Sequence, residues 1–192
     1  MTSIDQAQPV SGDAVDTATA GIDWGEARHR TVTWHDPAIP AQVATKLSGI
    51  DYMHALADGR IPAPPIVGLM DARLTSVTPG AAEFTLTPNE SHFNPIGAVH
   101  GGIICTLLDS AAGCAVHTTL PQGVGYTSVE IKVNFMRGTT LDSGDLIARG
   151  WVKKSGRRVA FAEAEITDSL GKTVATASTS LLVFEVPAPA KG

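Results

Sequence analysis

The spacing of apolar residues changes along the chain, and each change predicts a different element. Up to about Pro40 the chain is polar and acidic and holds neither a period of 2 nor one of 3.6. That predicts a mostly irregular arm, with Trp24, Trp34 and the run 30–34 pointing to partial docking. Across 42–57, Val43, Leu47, Ile50, Met53, His54 and Leu56 fall at helical spacings, and Asp58-Gly59 supplies a stop before a Pro-rich connector at 61–65. Short β-type runs follow at 67–77 and 82–87 around the turn Thr78-Pro79-Gly80, which reads as a hairpin. The stretch 103–118 is small or apolar almost throughout and carries one formal charge, Asp109, so it predicts a helix buried on every side. Runs at 126–136, 146–153, 158–167 and 173–185, with turn residues between them, predict strands. Short loops between consecutive strands favour an antiparallel meander. Alternation in the first of these runs places Val129, Ile131, Val133 and Phe135 on one face.

The sum is an α+β domain in which an antiparallel sheet of six strands wraps one long apolar helix, because that is the economical way to cover it. The expected division is an acidic arm over 1–46 and a folded domain over 47–192 that ends in a short Pro/Ala tail at 187–190. Composition supports a globular chain: 43% of residues are hydrophobic and 17% charged, which excludes disorder and a coiled coil. The formal net charge of −5 argues against a broad nucleic-acid footprint, but most of it belongs to the arm, so the folded part is nearly neutral. Cys105 and Cys114 show no metal-type spacing and, nine residues apart on one helix, point to opposite faces, which favours a reduced, cytoplasmic setting. The first residues have no basic and apolar signal pattern, and no apolar run is long enough to span a bilayer, so neither export nor a membrane partner is expected.

Chemistry concentrates where His92-Phe93-Asn94-Pro95-Ile96-Gly97-Ala98-Val99-His100-Gly101-Gly102 runs into the apolar helix. Gly101 and Gly102 present helix N-terminal N–H groups with no side chain in the way, which suits a carbonyl oxygen or oxyanion. Asp109 lies too deep for a first-turn dipole role, and a carboxylate in apolar surroundings must be paired, hydrogen-bonded or used as a base. Asn94 and His100 add neutral polar groups near the same helix end. Each alone has an ordinary structural explanation as a turn, a cap or a satisfied side chain. Their order and spacing together point to a site.

The string N-P-x-G-x-x-H-G-G, six residues and then Asp109, followed by the strand Tyr126-Thr127-Ser128-Val129-Glu130-Ile131-Lys132-Val133-Asn134-Phe135, resembles the hotdog-fold thioesterases of the PaaI-like branch. The resemblance runs from about Leu47 to Val186. It implies hydrolysis of an acyl-CoA with no separate cofactor, CoA being part of the substrate. It implies Asp109 as general base or nucleophile facing a neighbouring subunit's substrate, and the Gly101 N–H as the donor that polarises the thioester carbonyl. Asn94 would orient water or thioester, His100 would stand beside the glycine, and a hydroxyl from Thr127 or Ser128 would assist.

A CoA ester also needs partners for its phosphates, and 126–158 is locally basic, with Arg137, Arg157 and Arg158 at turn borders as the preferred candidates. Gly113, with Ala112, Val116, Phe135 and Met136, is a candidate for the acyl pocket. A hotdog hydratase would carry a D-x-N-P-x-H pattern, whereas His92 stands two before Asn94. A non-catalytic acyl-CoA sensor would be expected to add a basic DNA-binding segment, which the acidic arm does not resemble. A single sheet leaves edges open, so a homodimer, or a dimer of dimers forming a homotetramer, is the expected assembly.

Overall fold

A computed structural model describes residues 12–186; the Pro/Ala tail and the first residues of the arm lie outside that span. The described chain forms two compact units, divided between Thr31 and Val32. The first contains α1 (Gly12–Thr19) followed by irregular chain in which Trp24 is 77% exposed. Trp34, in the second unit, is 63% exposed, against the docking expected of it. Residues 32–46, read above as the end of the arm, belong to the same compact unit as the sheet.

That unit begins with α2 (Ala38–Ala44) and α3 (Gly49–Ala57), so the single amphipathic helix expected over 42–57 is two. The break is local chemistry: Ser48 adopts extended backbone and its Oγ accepts the Asp51 N–H, a standard N-cap that restarts the helix. The second difference is α4 (Pro65–Met70), which occupies the first part of the run expected as strand. Pro65 sits in its first turn, where a missing N–H does no harm, and Asp71 leaves it in left-handed backbone, φ 56°. Only then does β1 (Ala72–Thr78) begin, turning at Gly80 into β2 (Ala81–Leu86).

After β2 a loop leads into α5 (Gly101–His117), then β3 (Val124–Phe135), β4 (Leu146–Lys154), β5 (Val159–Thr167) and β6 (Thr173–Glu185). The sheet is antiparallel and ordered β1-β2-β4-β5-β6-β3. The expected meander therefore holds for β4, β5 and β6 but not for β3, which crosses to the far edge and pairs with β6. The crossing lets a long helix lie over the middle of the sheet with β3 at its flank. A bulge at Val129 interrupts β3, since Ser128 faces Leu181 and Glu130 faces Ser180. Val129 is 61% exposed while Ile131 and Val133 turn inward, so parity switches along the strand and the expected common face is broken.

Ile104, Leu107, Leu108, Ala111, Ala112 and Val116 of α5 fill the sheet's concave face together with Leu86, Leu146, Ile166 and Leu181. A smaller cluster, built on Tyr52, Met53, Ala55 and Ile61, packs α3 over the end of α5. There the Gly49 N–H donates to the Leu120 carbonyl, at 2.9 Å.

Candidate active site

The loop before α5 is held by its own side chains. Asn94 Oδ1 accepts the N–H groups of Ile96 and Ala98, both at 3.1 Å, and its backbone N–H donates to the Ala98 carbonyl. Its carboxamide oxygen is thus committed to the loop, leaving Nδ2 as the group free to reach outward. The buried His92 ring caps the preceding turn from Asn89, and its carbonyl accepts the His100 N–H at 2.8 Å. His100 then becomes the N-cap of α5: its Nδ1 accepts the Gly102 N–H at 2.8 Å, which places the ring proton of the neutral imidazole on Nε2.

This cap sorts the two glycines. The Gly102 N–H is occupied by His100, and Ile103 and Ile104 donate to the His100 carbonyl. Gly101, the first residue of the helix, has no such partner, so its N–H remains available at the positive end of the helix dipole. The Phe135 ring covers the α-carbon side of Gly101, where an added Cβ would lie 3.3 Å from Cζ.

Two turns further on, Asp109 leaves the apolar helix toward β3, and Ser128 Oγ donates to its Oδ1 at 2.7 Å. Thr127, the alternative hydroxyl, is exposed on the opposite face. Tyr126, two residues before Ser128, also faces α5. An added Cβ on Gly113 would stand 2.7 Å from its hydroxyl, so Gly113 is the gap that admits the Tyr126 ring and is not itself on the cavity wall. The Tyr126 hydroxyl hydrogen-bonds the Cys114 thiol. Desolvation pushes that thiol up to about 12, a rise to which Asp109 adds and which the Tyr126 hydrogen bond opposes. Burial first, then the neighbouring Cys114 and Asp109, hold the Tyr126 hydroxyl well above its ordinary value, so it stays protonated and donating.

Asp109, Ser110, Cys114, Tyr126 and Ser128 form one side of a cavity of about 430 Å³. Its other walls come from α3, the connector, α4, β1 and β2, among them Met53, Leu56, Val67, Leu74 and Phe84. Ala112 and Val116 are buried in the sheet-side core, Phe135 and Met136 are largely exposed, and none of them lines this cavity. The α3–α4 wall was the part that sequence reading missed. Its signal, a Pro-rich run continuing into apolar 66–70, was read as connector and strand.

The three arginines divide between the two ends of α5. Arg137 follows β3 at the Gly101 end, 4.0 Å from the carboxylate of the buried Asp168. Arg157 and Arg158 are exposed in the β4–β5 turn, which meets the other end of α5 through Thr119 Oγ1 and Ser155 Oγ at 3.2 Å. Seventeen helical residues span about 25 Å, so one protomer does not bring the three arginines together. Among the described residues no helix is long and apolar enough to cross a membrane.

Comparison with known proteins bears on the fold and the family. The family model described as the Thioesterase superfamily matches residues 96–175, which takes in α5 and the strands that hold Ser128 beside Asp109. Acyl-coenzyme A thioesterase 13 of Homo sapiens is 31% identical over 103 residues, covering 53% of this chain and 72% of that protein. A phenylacetic acid degradation-related protein of Ralstonia eutropha JMP134 superposes with a TM-score of 0.63 at 26% identity, over 68% of this chain and 98% of the other. A thioesterase family protein of Silicibacter pomeroyi gives a TM-score of 0.63 at 25% identity, over 69% and 98% of the two chains. The sheet wrapped on α5 is the hotdog arrangement, and the chain belongs to the thioesterase superfamily.

Proposed function

We propose that the protein hydrolyses acyl-CoA thioesters, with Asp109 as the base that activates water and the Gly101 N–H as the donor to the thioester oxygen. The observation that carries the reading is the pairing of Asp109 with Ser128 on the wall of an apolar cavity. Ser128 holds Oδ1, which leaves Oδ2 to take a proton from water. Hydroxide character develops as the water attacks the carbonyl carbon. The C=O bond opens to an oxyanion that Gly101 stabilises. Collapse breaks the C–S bond, and the proton held by Asp109 passes to sulfur, releasing the acid and CoA as its thiol. The shorter reach of Asp favours water activation over direct attack.

Within one protomer the two groups are too far apart. Asp109 lies eight positions beyond Gly101 on the helix, a rise of about 12 Å, while a reacting carbonyl needs both within about 3 Å. A second copy resolves this. The outer edge of β3 is unpaired in the sheet and runs for twelve residues, a length of about 40 Å that invites antiparallel pairing with another β3. Such pairing brings opposite ends of the two α5 helices together, so that Asp109 of one copy meets Gly101 and Asn94 of the other. It also carries Arg157 and Arg158 of one copy toward Arg137 of its mate, where they would gather the CoA phosphates.

The test is Asp109→Asn, assayed for thiol release from acyl-CoA. Turnover falls by about 10² to 10⁴, the range that a general base contributes. Circular dichroism and the dimer population stay those of the native protein. Native kcat/KM in a folded Asp109→Asn variant would remove the mechanism.

A further inference from the structure

Resting on the reading of the cavity as the acyl site, we infer that its substrates are thioesters of unbranched, unsubstituted aliphatic acids of about ten to fourteen carbons, in preference to single-ring aryl acids. The first step is capacity. A benzene ring fills a cavity of about 150 Å³, so one ring occupies about a third of the 430 Å³ present here. At the same ~25 Å³ per carbon the space admits at most about 17 carbons, and imperfect filling brings that to roughly a dozen.

The second step is the chemistry of the walls. The polar side chains on the α5 and β3 side are Asp109, Ser110, Cys114, Tyr126 and Ser128, and two of their protons are already committed, Ser128 to Asp109 and Tyr126 to Cys114. The opposite wall, from Met53 and Leu56 to Val67, Leu74 and Phe84, is apolar apart from Arg73, which is itself exposed to solvent. A ring hydroxyl or a keto group pushed against the apolar stretch from Met53 to Val67 would be buried without a partner, as would the two amides of the pantetheine arm. The acyl chain therefore enters this cavity, and CoA stays on the outer side of Asp109.

Asp109→Asn, which holds substrate without turning it over, is titrated calorimetrically with butanoyl-, hexanoyl-, octanoyl-, decanoyl-, dodecanoyl- and phenylacetyl-CoA. Affinity climbs by up to about fourfold per methylene, the fold-change equivalent to about 0.8 kcal/mol per buried CH₂, and levels off near twelve to fourteen carbons. Dodecanoyl-CoA binds at least tenfold more tightly than phenylacetyl-CoA. Val67→Phe and Ala63→Phe add bulk at positions that are not fully buried, and both bring the plateau down by two to four carbons. Affinity that is flat beyond six carbons overturns the inference. So does phenylacetyl-CoA binding as tightly as dodecanoyl-CoA, or a plateau that neither filling variant moves. Turnover of the same esters by the native protein is a separate arm. Its absence at every length removes the hydrolase reading, while the binding series still decides the acyl class.

Discussion

Both faces of α5 carry small residues, and those residues do opposite things on the two sides. On the sheet side, Ala111 comes so close to β4 that a Cβ on Gly150 would sit 2.2 Å from its carbonyl carbon and oxygen. Nothing there can give way, because both partners are backbone. On the other side, Asp109, Ser110, Gly113, Cys114 and His117 face β3 and α3 across side chains and an open cavity. Small residues thus mean contact on one face and room on the other. The first face fixes the height of the helix over the sheet; the second uses that fixed height to hold Asp109 and Ser128 in register.

The comparison is broken most directly by adding the same carbon on each side. Gly150→Ala forces α5 off the sheet, and overpacking of backbone on backbone should reduce stability by about 3 kcal/mol or more, read from denaturant midpoints. Gly113→Ala meets only the Tyr126 ring, which can swing into the cavity, so about 1 kcal/mol is expected. Its larger consequence is functional: the displaced ring takes up acyl space, and affinity for long-chain esters drops while the fold persists. Equal stability losses in the two variants would show that the faces are packed alike.

Most of the sheet and the whole of α5 were legible because their periodicities are strong and each is bounded by turn residues. Placement of β3 was not, since a meander and a crossover have the same strand pattern and differ only in which edge pairs. The bulge at Val129 has no signature beyond a Val where alternation continues smoothly. It decides which hydroxyl reaches Asp109, however, because the parity change is what leaves Ser128 inward and Thr127 outward. Spacing alone singled out Gly101, Asp109 and His100 as a group, and the roles proposed for them came from the resemblance. Gly102 and Gly113 were read as contacts with substrate, yet one closes the His100 cap and the other admits Tyr126. A glycine in the sequence announces that something comes close without saying what.

The smallest expected effect concerns His117, where two electrostatic influences oppose each other. As the last residue of α5 it lies at the negative end of the helix dipole, which favours the imidazolium. Yet its ring is stacked on Tyr52 of α3, centroids 5.3 Å apart, and meets Tyr126 of β3 edge-on at 5.6 Å, with the neutral Cys114 thiol as the other titratable group nearby. Burial prevails and lowers its pKa below the ordinary 6.5. The folded protein therefore binds fewer protons than the unfolded chain just below pH 6.5, so stability falls as pH drops through that window and is fully present above it. His117→Phe keeps the stack and removes the titration. The difference in unfolding free energy between it and the native protein should be constant above neutrality and move in favour of the variant from pH 6.5 to 5.5. A difference that moves the other way would mean that the helix end stabilises the cation, and that the α3 face of α5 is far wetter than its aromatic packing implies.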